Sequence, residues 1–311
     1  AELKKMLFDY LSKIRNDGRL PNINDGIAFK TLNSADSHGW LLLRCRDFLS
    51  ELNKIKNKKF LENDEKDRIL YEIESSLDKS MHGLLKSHTK DSFETNEAKE
   101  TWMDTDFGND SREGVRIEMQ ALRLNIYKLM FELTQNQKYR VLENILKSKV
   151  REKFWNGKIL SDGLDDFAIR PNVFIAAYAY PELLTNEEWT TCFENALKNL
   201  WLDWGGLSTI DKNHPLFTET STGEDNKSYH RGDSWFWINN LAALTLNHIN
   251  RNKFKKNIQK IISASTEEIL WKGCVGCHSE LSSAKELQSR GCFNQAWSDA
   301  MYVEMIDEIF Q

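Results

Sequence analysis

Apolar residues recur at helical spacing along most of this 311-residue chain. A side chain that returns every three to four residues lines one face of an α-helix, whereas a half-buried strand needs strict alternation. Only 4 prolines and 15 glycines interrupt the chain, and alternating runs of β-branched residues are few. Since helices tolerate few such interruptions, the pattern predicts an all-α protein.

The predicted helices alternate with long loops rich in aromatic and charged residues, and shorter connections join them on the other side. The sequence has no βαβ alternation, no short-period repeat and no low-complexity linker. This rhythm favours one helical barrel or toroid spanning 1–311 over two separate domains. The predicted helices lie near residues 2–16, 37–57, 64–87, 115–133, 137–154, from Pro171 onward, 187–201, 234–249, 253–270 and 294–309.

Composition narrows the class of partner. The net charge is −5 and the pI is about 5.9. Nucleic acids and anionic membranes require clustered Lys and Arg, so neither partner is expected and neutral substrates fit better. The sequence has no long apolar run, no signal-peptide core and an odd number of cysteines, 5. We therefore expect a cytoplasmic protein with reduced thiols.

The stretch from Thr101 to Asn125, TWMDTDFGNDSREGVRIEMQALRLN, carries the clearest chemical signal. It places an acid, Asp104, beside aromatic and apolar residues just before an amphipathic helix. Paired carboxylates with aromatics and a few polar donors form the set that a glycoside hydrolase needs. A closed helical ring would let widely separated loops share one pocket. The loop residues concerned are Asp36, Asp104, Asp165, Asp166, Arg170, His230, Arg231, Asp233 and Glu280.

The segment CVGCH at 274–278 matches the spacing of a c-type haem attachment site. Haem attachment would require export to an oxidising compartment, and a zinc site would need further ligands beside Cys274 and Cys277, with His278 and Cys292 available. The favoured interpretation is a loop of reduced cysteines leading to Glu280, with no metal and no cofactor.

Seven segments, spread in order along nearly the whole chain, together carry a family resemblance, although each alone would be weak. They are NSADSHGW at 33–40, TWMD at 101–104, GVRIEMQALRLN at 114–125, IRPNVFIAAY at 169–178, SYHRGDSWFWINNLAA at 228–243, SEL at 279–281 and GCFNQAWSDA at 291–300. With these segments the chain resembles the C-terminal catalytic domain of glycogen debranching enzymes, the amylo-α-1,6-glucosidase family.

The resemblance implies an (α/α)6 barrel that hydrolyses α-1,6-glucosyl branches of glycogen-like α-glucan with inversion. It implies that Asp104 is the general acid and Glu280 the general base, which inversion would place ~6.5–9.5 Å apart. Burial beside Trp102 and Met103 would raise the pKa of an acid at position 104. The neighbouring Asp106, Asp110 and Glu113 are expected to be solvated loop charges.

The resemblance also implies a set of sugar-binding side chains. Structural roles are alternatives at several positions: Asp36 also suits a helix N-cap, Arg170, Glu118 and Gln295 also suit hydrogen bonding within the barrel, and Trp297 suits the core. The expected substrate-binding residues are Asp36, Trp40, Trp102, Arg170, Tyr229, His230 and Trp235.

One departure leaves alternatives open. The family's opening Trp-Gly-Arg-Asp-Thr segment has no counterpart, and Ala1 falls at what resembles the second helix. Either an upstream domain or companion chain supplies the first barrel helix, which we favour, or the chain is a degenerate relative of the family. A non-catalytic carbohydrate-binding or assembly subunit, or an α-glucosidase of other linkage specificity on the same fold, are the alternative functions.

Overall fold

The computed structural model describes residues 2–22, 34–54, 63–223 and 225–310. Asn33, in the first segment of the family resemblance, and the predicted helix end at 55–57 lie outside these residues. Helices dominate the described chain. Their bounds are α1 Glu2–Ser12, α2 Ser37–Lys54, α3 Asn63–Ser87, α4 Ile117–Thr134, α5 Gln137–Phe154, α6 Asn172–Ala179, α7 Asn186–Leu200, α8 Asn226–Tyr229, α9 Phe236–Trp271 and α10 Ala296–Phe310.

The chain divides into two compact units. Unit 1 comprises Ala1–Asp104 and Arg112–Val150, and unit 2 comprises Thr105–Ser111 and Arg151–Gln311. The prediction of a single barrel domain over 1–311 stays a prediction. Across the described residues, no helix combines the length and apolar character that crossing a membrane requires.

In unit 1, α1, α2, α3 and α4 pack against one another. The α3 stripe shows why this sequence folds as a helix. Ile69, Ile73, Leu77 and Met81 recur every four residues and all are buried. Burying each such side chain contributes roughly 1.5–3 kcal/mol. Truncating Ile73 to Ala would therefore be among the most damaging single changes to this interface.

Helix α4 differs from its prediction as an amphipathic helix. Its polar residues Glu118, Gln120, Arg123 and Asn125 are as buried as its apolar ones. Burial of charge is tolerated here because partners are present: Arg123 Nε lies 2.9 Å from Glu94 Oε2, with both side chains fully buried. Burial alone would raise the pKa of Glu94, but the charges of Arg123, His38 and Arg19 and a hydrogen bond from His38 together outweigh it and lower that pKa to about 2.

A short hairpin, β1 (Thr89–Lys90) and β2 (Phe93–Glu94), lies in what the sequence indicated only as a polar connection. Asp91 and Ser92 both adopt positive φ, as a two-residue hairpin turn requires. The amide of Gln120 then pairs with both backbone groups of Glu94, at 2.9 Å each. The hairpin is thus fixed to α4 by a side chain that mimics a strand.

Unit 2 is built around α9, which packs against α6, α7 and α10. The backbone of Asn250 leaves the helical region at φ −157° and ψ 75°, which agrees with the two helices predicted at 234–249 and 253–270. Helix α7 begins with a capping box between Thr185 and Glu188. Strands β3 (Ser234–Trp235) and β4 (Leu281–Ser282) pair antiparallel.

Aromatic side chains form much of the core of unit 2. Phe193 stacks on Phe174 at 4.8 Å and on Trp189 at 5.5 Å between ring centroids. Trp297, predicted to be a core residue, stacks on the buried Trp237 at 4.0 Å. Such stacked pairs contribute about 0.5–1.5 kcal/mol beyond the area they bury.

Candidate active site

The loop that carries Asp104 is fastened within unit 1. The backbone N–H of Trp102 donates to Asp36 Oδ2 at 3.0 Å. Arg112 donates to Thr101 Oγ1 at 2.8 Å and to Glu118 Oε1 at 2.9 Å. The residues just before Asp104 are therefore held from two sides. This arrangement assigns Glu118 the structural role that the sequence left as one alternative.

The side chain of Asp104 is exposed, whereas Trp102 and Met103 are buried. The prediction that neighbouring apolar groups desolvate Asp104 is therefore wrong. The physical reason is local: the two apolar side chains are buried, whereas the carboxylate at the next position is exposed to solvent. Its exposed carboxylate is accessible to a ligand from solvent.

Asp36 is a buried acid of unit 1 whose pKa is raised. It lies immediately before α2 and is 7% exposed, and the N-cap role stays a prediction. Burial raises the pKa of its carboxyl to about 6, aided by the charge of Glu118 and opposed by hydrogen bonds that include Trp102 N–H and Ser34. Trp40, one turn along α2, is half-buried. Asp36 supports the Asp104 loop, and direct sugar contact stays a prediction.

In unit 2, three donors orient the carboxylate of Glu280. The Tyr229 hydroxyl donates to Oε1 at 2.6 Å, the Gln295 amide donates to Oε1 at 3.3 Å, and the Cys292 backbone N–H donates to Oε2 at 3.0 Å. Glu280 itself is half-buried. A carboxylate that only accepts hydrogen bonds and retains some solvent access can receive a proton from water.

Gly291 permits the close approach of this carboxylate. Its φ is +69°, and a Cβ at this position would lie 2.1 Å from Glu280 Oε2. Any side chain here would displace Glu280, so glycine is required for space as well as for backbone conformation.

Three of the predicted sugar-binding residues form one cluster, which reaches Glu280 through Tyr229. The ring centroid of Tyr229 lies 4.8 Å from those of His230 and Trp235, and the His230 and Trp235 rings stack with their centroids 5.1 Å apart. His230 and Trp235 are buried, and they bond to Thr105 Oγ1 and to the Tyr229 carbonyl respectively. Only Tyr229 is half-buried. The two buried rings therefore support Tyr229 in place.

Arg170 is buried within a charge cluster of unit 2. It donates to Asp110 Oδ2 at 2.6 Å and to the His230 carbonyl at 2.9 Å. Arg231 Nε also lies 2.8 Å from Asp110 Oδ2. The prediction that Asp110 is a solvated loop charge is wrong, because two guanidinium groups draw its carboxylate inward. Arg170 thus makes structural hydrogen bonds, and its contact with substrate stays a prediction.

Arg231 and Asp233, in the same region, are also buried and hydrogen-bonded within unit 2. Burial lowers the pKa of Arg231, which the charge of Asp110 opposes. Burial raises the pKa of Asp233 to about 6, although the Ser228 and Ser221 hydroxyls donate to it at 2.7 and 3.3 Å. Asp165 is exposed and Asp166 half-buried, and a place for either in the substrate pocket stays a prediction.

The cysteines and the histidine of the CVGCH segment lie in different environments. Cys274 is exposed and Cys277 half-buried, whereas His278 is buried and its Nδ1 lies 2.6 Å from Glu268 Oε2. Within the part of the chain that the structure describes, no group of three or more His, Cys, Asp and Glu side chains could hold a metal ion. Sequence reasoning missed Glu268, for which no motif offered a signal.

The chain is similar to several solved structures, among them glycosidases. A glycosidase matches 99% of this chain and 78% of its own, with a TM-score of 0.64 and 12% identity. A GH63 mannosylglycerate hydrolase from Thermus thermophilus in complex with glucose matches 96% of this chain and 86% of its own, with a TM-score of 0.63 and 12% identity. An uncharacterized conserved protein from the same organism matches 96% of this chain and 86% of its own, with a TM-score of 0.64 and 12% identity.

These likenesses show the fold, which is the helical barrel fold of this class of glycosidase. The predicted all-α class is thus confirmed. No curated protein matches the chain. The profile of the amylo-alpha-1,6-glucosidase family matches residues 1–304, and the chain belongs to that family. It is accordingly a glycoside hydrolase.

Proposed function

We propose that this protein is an inverting glycoside hydrolase that removes α-1,6-linked glucosyl branches from a glycogen-like α-glucan, with Asp104 as general acid and Glu280 as general base. The observation that carries the proposal is the placement of Glu280, whose carboxylate accepts hydrogen bonds from Tyr229, Gln295 and the Cys292 backbone. A general base must be oriented and open to water, and the three hydrogen bonds and the partial exposure of Glu280 support that role.

The proposed reaction balances with two carboxyl groups. Asp104 gives its proton to the glycosidic oxygen as the bond from that oxygen to the anomeric carbon breaks. Glu280 takes a proton from water, whose oxygen bonds to the anomeric carbon from the opposite face. The products are the shortened glucan and β-glucose. Exchange with solvent returns the proton to Asp104 and removes it from Glu280.

Asp104 has support from its surroundings in unit 1. Its loop is held by Asp36 and Arg112 through backbone and hydroxyl contacts, while its own side chain is exposed. A proton donor to a bulky polysaccharide has to reach an oxygen of the substrate, which an exposed carboxyl on a fixed loop can do. In this proposal, substrate binding supplies the desolvation that the loop lacks without substrate.

Further proposals concern the partner and the compartment. The polymer is a neutral α-glucan, consistent with the chain's modest negative charge, and neither nucleic acid nor membrane is a partner. The protein is cytoplasmic, which its five free cysteines support. It acts in glycogen breakdown. A glucosidase acting on a smaller glycoside is the second candidate, because one similar structure is a mannosylglycerate hydrolase with bound glucose.

The test compares wild type with Asp104→Ala and Glu280→Ala on a phosphorylase limit dextrin. Both variants should release no measurable glucose while retaining the wild-type circular dichroism spectrum and unfolding temperature. Full activity in either variant would remove that residue from its role. Oligosaccharide binding without turnover by wild type would instead support a carbohydrate-binding subunit. Turnover of glucosylglycerate but not of the dextrin would favour the second candidate.

A further inference from the structure

Glu268 lies in the last turn of α9, fully buried, and bonds to the segment that leads to Glu280. Its carboxylate lies 2.6 Å from His278 Nδ1 and accepts from the Ser279 hydroxyl at 2.6 Å. The Ser289 hydroxyl also donates to it. A buried carboxylate with this many partners is satisfied, and each partner belongs to the segment that flanks Glu280 in sequence.

The protonation of this cluster follows from its bonding. Burial alone would raise the pKa of Glu268, but hydrogen bonds from His278, Ser279 and Ser289 outweigh that effect and lower it. Glu268 is therefore ionised near neutral pH and can only accept hydrogen bonds. His278 Nδ1 must then carry a hydrogen, so the imidazole is a donor to Glu268.

His278 is also fixed by its other contacts. Its backbone N–H donates to Asp299 Oδ1 at 2.8 Å. Its ring lies 4.4 Å from the Phe236 ring and 5.8 Å from the Tyr302 ring, between centroids. Because His278 and Ser279 directly precede Glu280, fixing both restricts the backbone from which the Glu280 side chain extends.

Both ends of α9 contact this segment. At its first residue, the Phe236 N–H donates to the Glu280 carbonyl at 3.2 Å. In its last turn, Glu268 binds His278 and Ser279. The Glu280 N–H donates to the Cys292 carbonyl at 2.8 Å. The segment around Glu280 is thus bonded to the buried polar cluster of Glu268, while the Glu280 carboxylate itself is partly exposed to solvent.

We propose that Glu268 and His278 are positioning residues that hold the backbone of Glu280, and through it the general base, in the geometry that hydrolysis requires. The inference rests on the proposed role of Glu280. Neither residue touches substrate in this account; they act by keeping the base where a bound water can meet it. A displacement of about 1 Å in such a group reduces turnover by roughly 100-fold.

The decisive comparison is Glu268→Gln against Glu267→Gln. Glu267 is the adjacent residue, exposed and paired at the surface with Lys272, so the control makes the same chemical change on the same helix. Glu268→Gln places an amide among the hydrogen donors of the cluster. We expect kcat to fall roughly 10- to 100-fold with KM within about twofold, and Glu267→Gln to match wild type.

Hydrogen exchange provides a readout that does not depend on activity. In Glu268→Gln, peptides spanning 277–283 should exchange faster than in wild type, while peptides from α7 should be unchanged. Faster exchange throughout unit 2 would show general loosening and would overturn the positioning role. Equal kcat and equal exchange in the two glutamine variants would overturn it as well.

A second pair of variants keeps the test informative if Glu268→Gln folds poorly. His278→Ala removes the donor to Glu268, whereas His278→Asn retains one, because the Asn amide nitrogen takes the place of Nδ1. We expect His278→Asn to recover most of the kcat that His278→Ala loses. Equal losses in both would contradict the proposal. Should wild type release no sugar from any glycoside, the proposed function is wrong, and the exchange at 277–283 alone decides whether the pair holds Glu280.

Discussion

The hydroxyl of Tyr229 donates a hydrogen bond to Glu280 Oε1 at 2.6 Å. This bond joins the short helix α8 to the loop after α9, and the buried rings of His230 and Trp235 support the tyrosine behind it. Tyr229 was expected to contact sugar. Its bond to the carboxylate gives it an additional role in orienting the proposed base.

Replacing Tyr229 with Phe tests that role. The loss of a hydrogen bond to a charged group costs about 1.5–3 kcal/mol, so we expect kcat to fall roughly 10- to 100-fold. Tyr178→Phe is the matched control, because it removes another phenol-to-carboxylate bond in unit 2, to Glu304. Steady-state kinetics on the limit dextrin measures both. Equal effects of the two variants would show that the Tyr229 bond has no special part in turnover.

Gly291→Ala should displace the base by direct collision. The added Cβ would lie 2.1 Å from Glu280 Oε2. Gly276→Ala shares the positive φ, at +86°, but its Cβ would meet nothing within 4 Å. Both variants should lose about 1–2 kcal/mol of stability from backbone strain, and only Gly291→Ala should lose most of its turnover. Denaturant unfolding and kcat separate the two effects.

Asp110→Asn should destabilise the protein. It removes the carboxylate that lies between the buried Arg170 and Arg231, and stripping one partner from a buried ion pair costs about 3–5 kcal/mol. Asp165→Asn, at an exposed loop position, should change the free energy of unfolding by less than about 0.5 kcal/mol. Urea denaturation measures both. A stability loss confined to Asp165→Asn, or absent from both variants, would contradict the stabilising role of the Asp110 ion pairs.

Asp36 should make stability depend on pH. Its pKa is raised from 3.8 to about 6, so the folded state binds the proton more tightly than the unfolded state. Its ionisation therefore costs stability as pH rises from about 4 to 6, and the full cost, about 3 kcal/mol, persists above pH 6. Asp36→Asn should be more stable than wild type at pH 7.5, and the difference should shrink as pH falls to 4.

The wild-type and Asp36→Asn unfolding curves across pH 4–8 provide the measurement. Asp165→Asn, exposed to solvent, is the control for a general charge effect. A stability difference between wild type and Asp36→Asn that grows toward pH 4 would mean that the Asp36 carboxylate is stabilised by folding, contrary to this account.

Much of the fold was predictable because helical spacing is a local property. The α3 stripe of Ile69, Ile73, Leu77 and Met81 and the break near Asn250 both follow from the sequence. The buried polar face of α4 did not, because Arg123 reads as a surface charge until Glu94, on a hairpin almost 30 residues earlier, is seen to pair with it.

Family resemblance marked candidate site residues such as Glu280, whose role as general base stays a proposal. The environments of those residues depended on three-dimensional contacts. Asp104 turns outward although its neighbours are apolar, and Asp110 turns inward because Arg170 and Arg231 surround it. Glu268 carries no sequence signal, since one acid near the end of a long helix resembles any solvated glutamate until its partners His278 and Ser279 are located.

The anomeric form of the first glucose released tests the central claim most directly. Proton NMR during the first minutes of limit-dextrin hydrolysis distinguishes β-glucose from α-glucose before they interconvert. An inverting pair of Asp104 and Glu280 predicts that β-glucose appears first with wild type and that Glu280→Gln releases none. Initial release of α-glucose, or continued release by Glu280→Gln, would contradict the account.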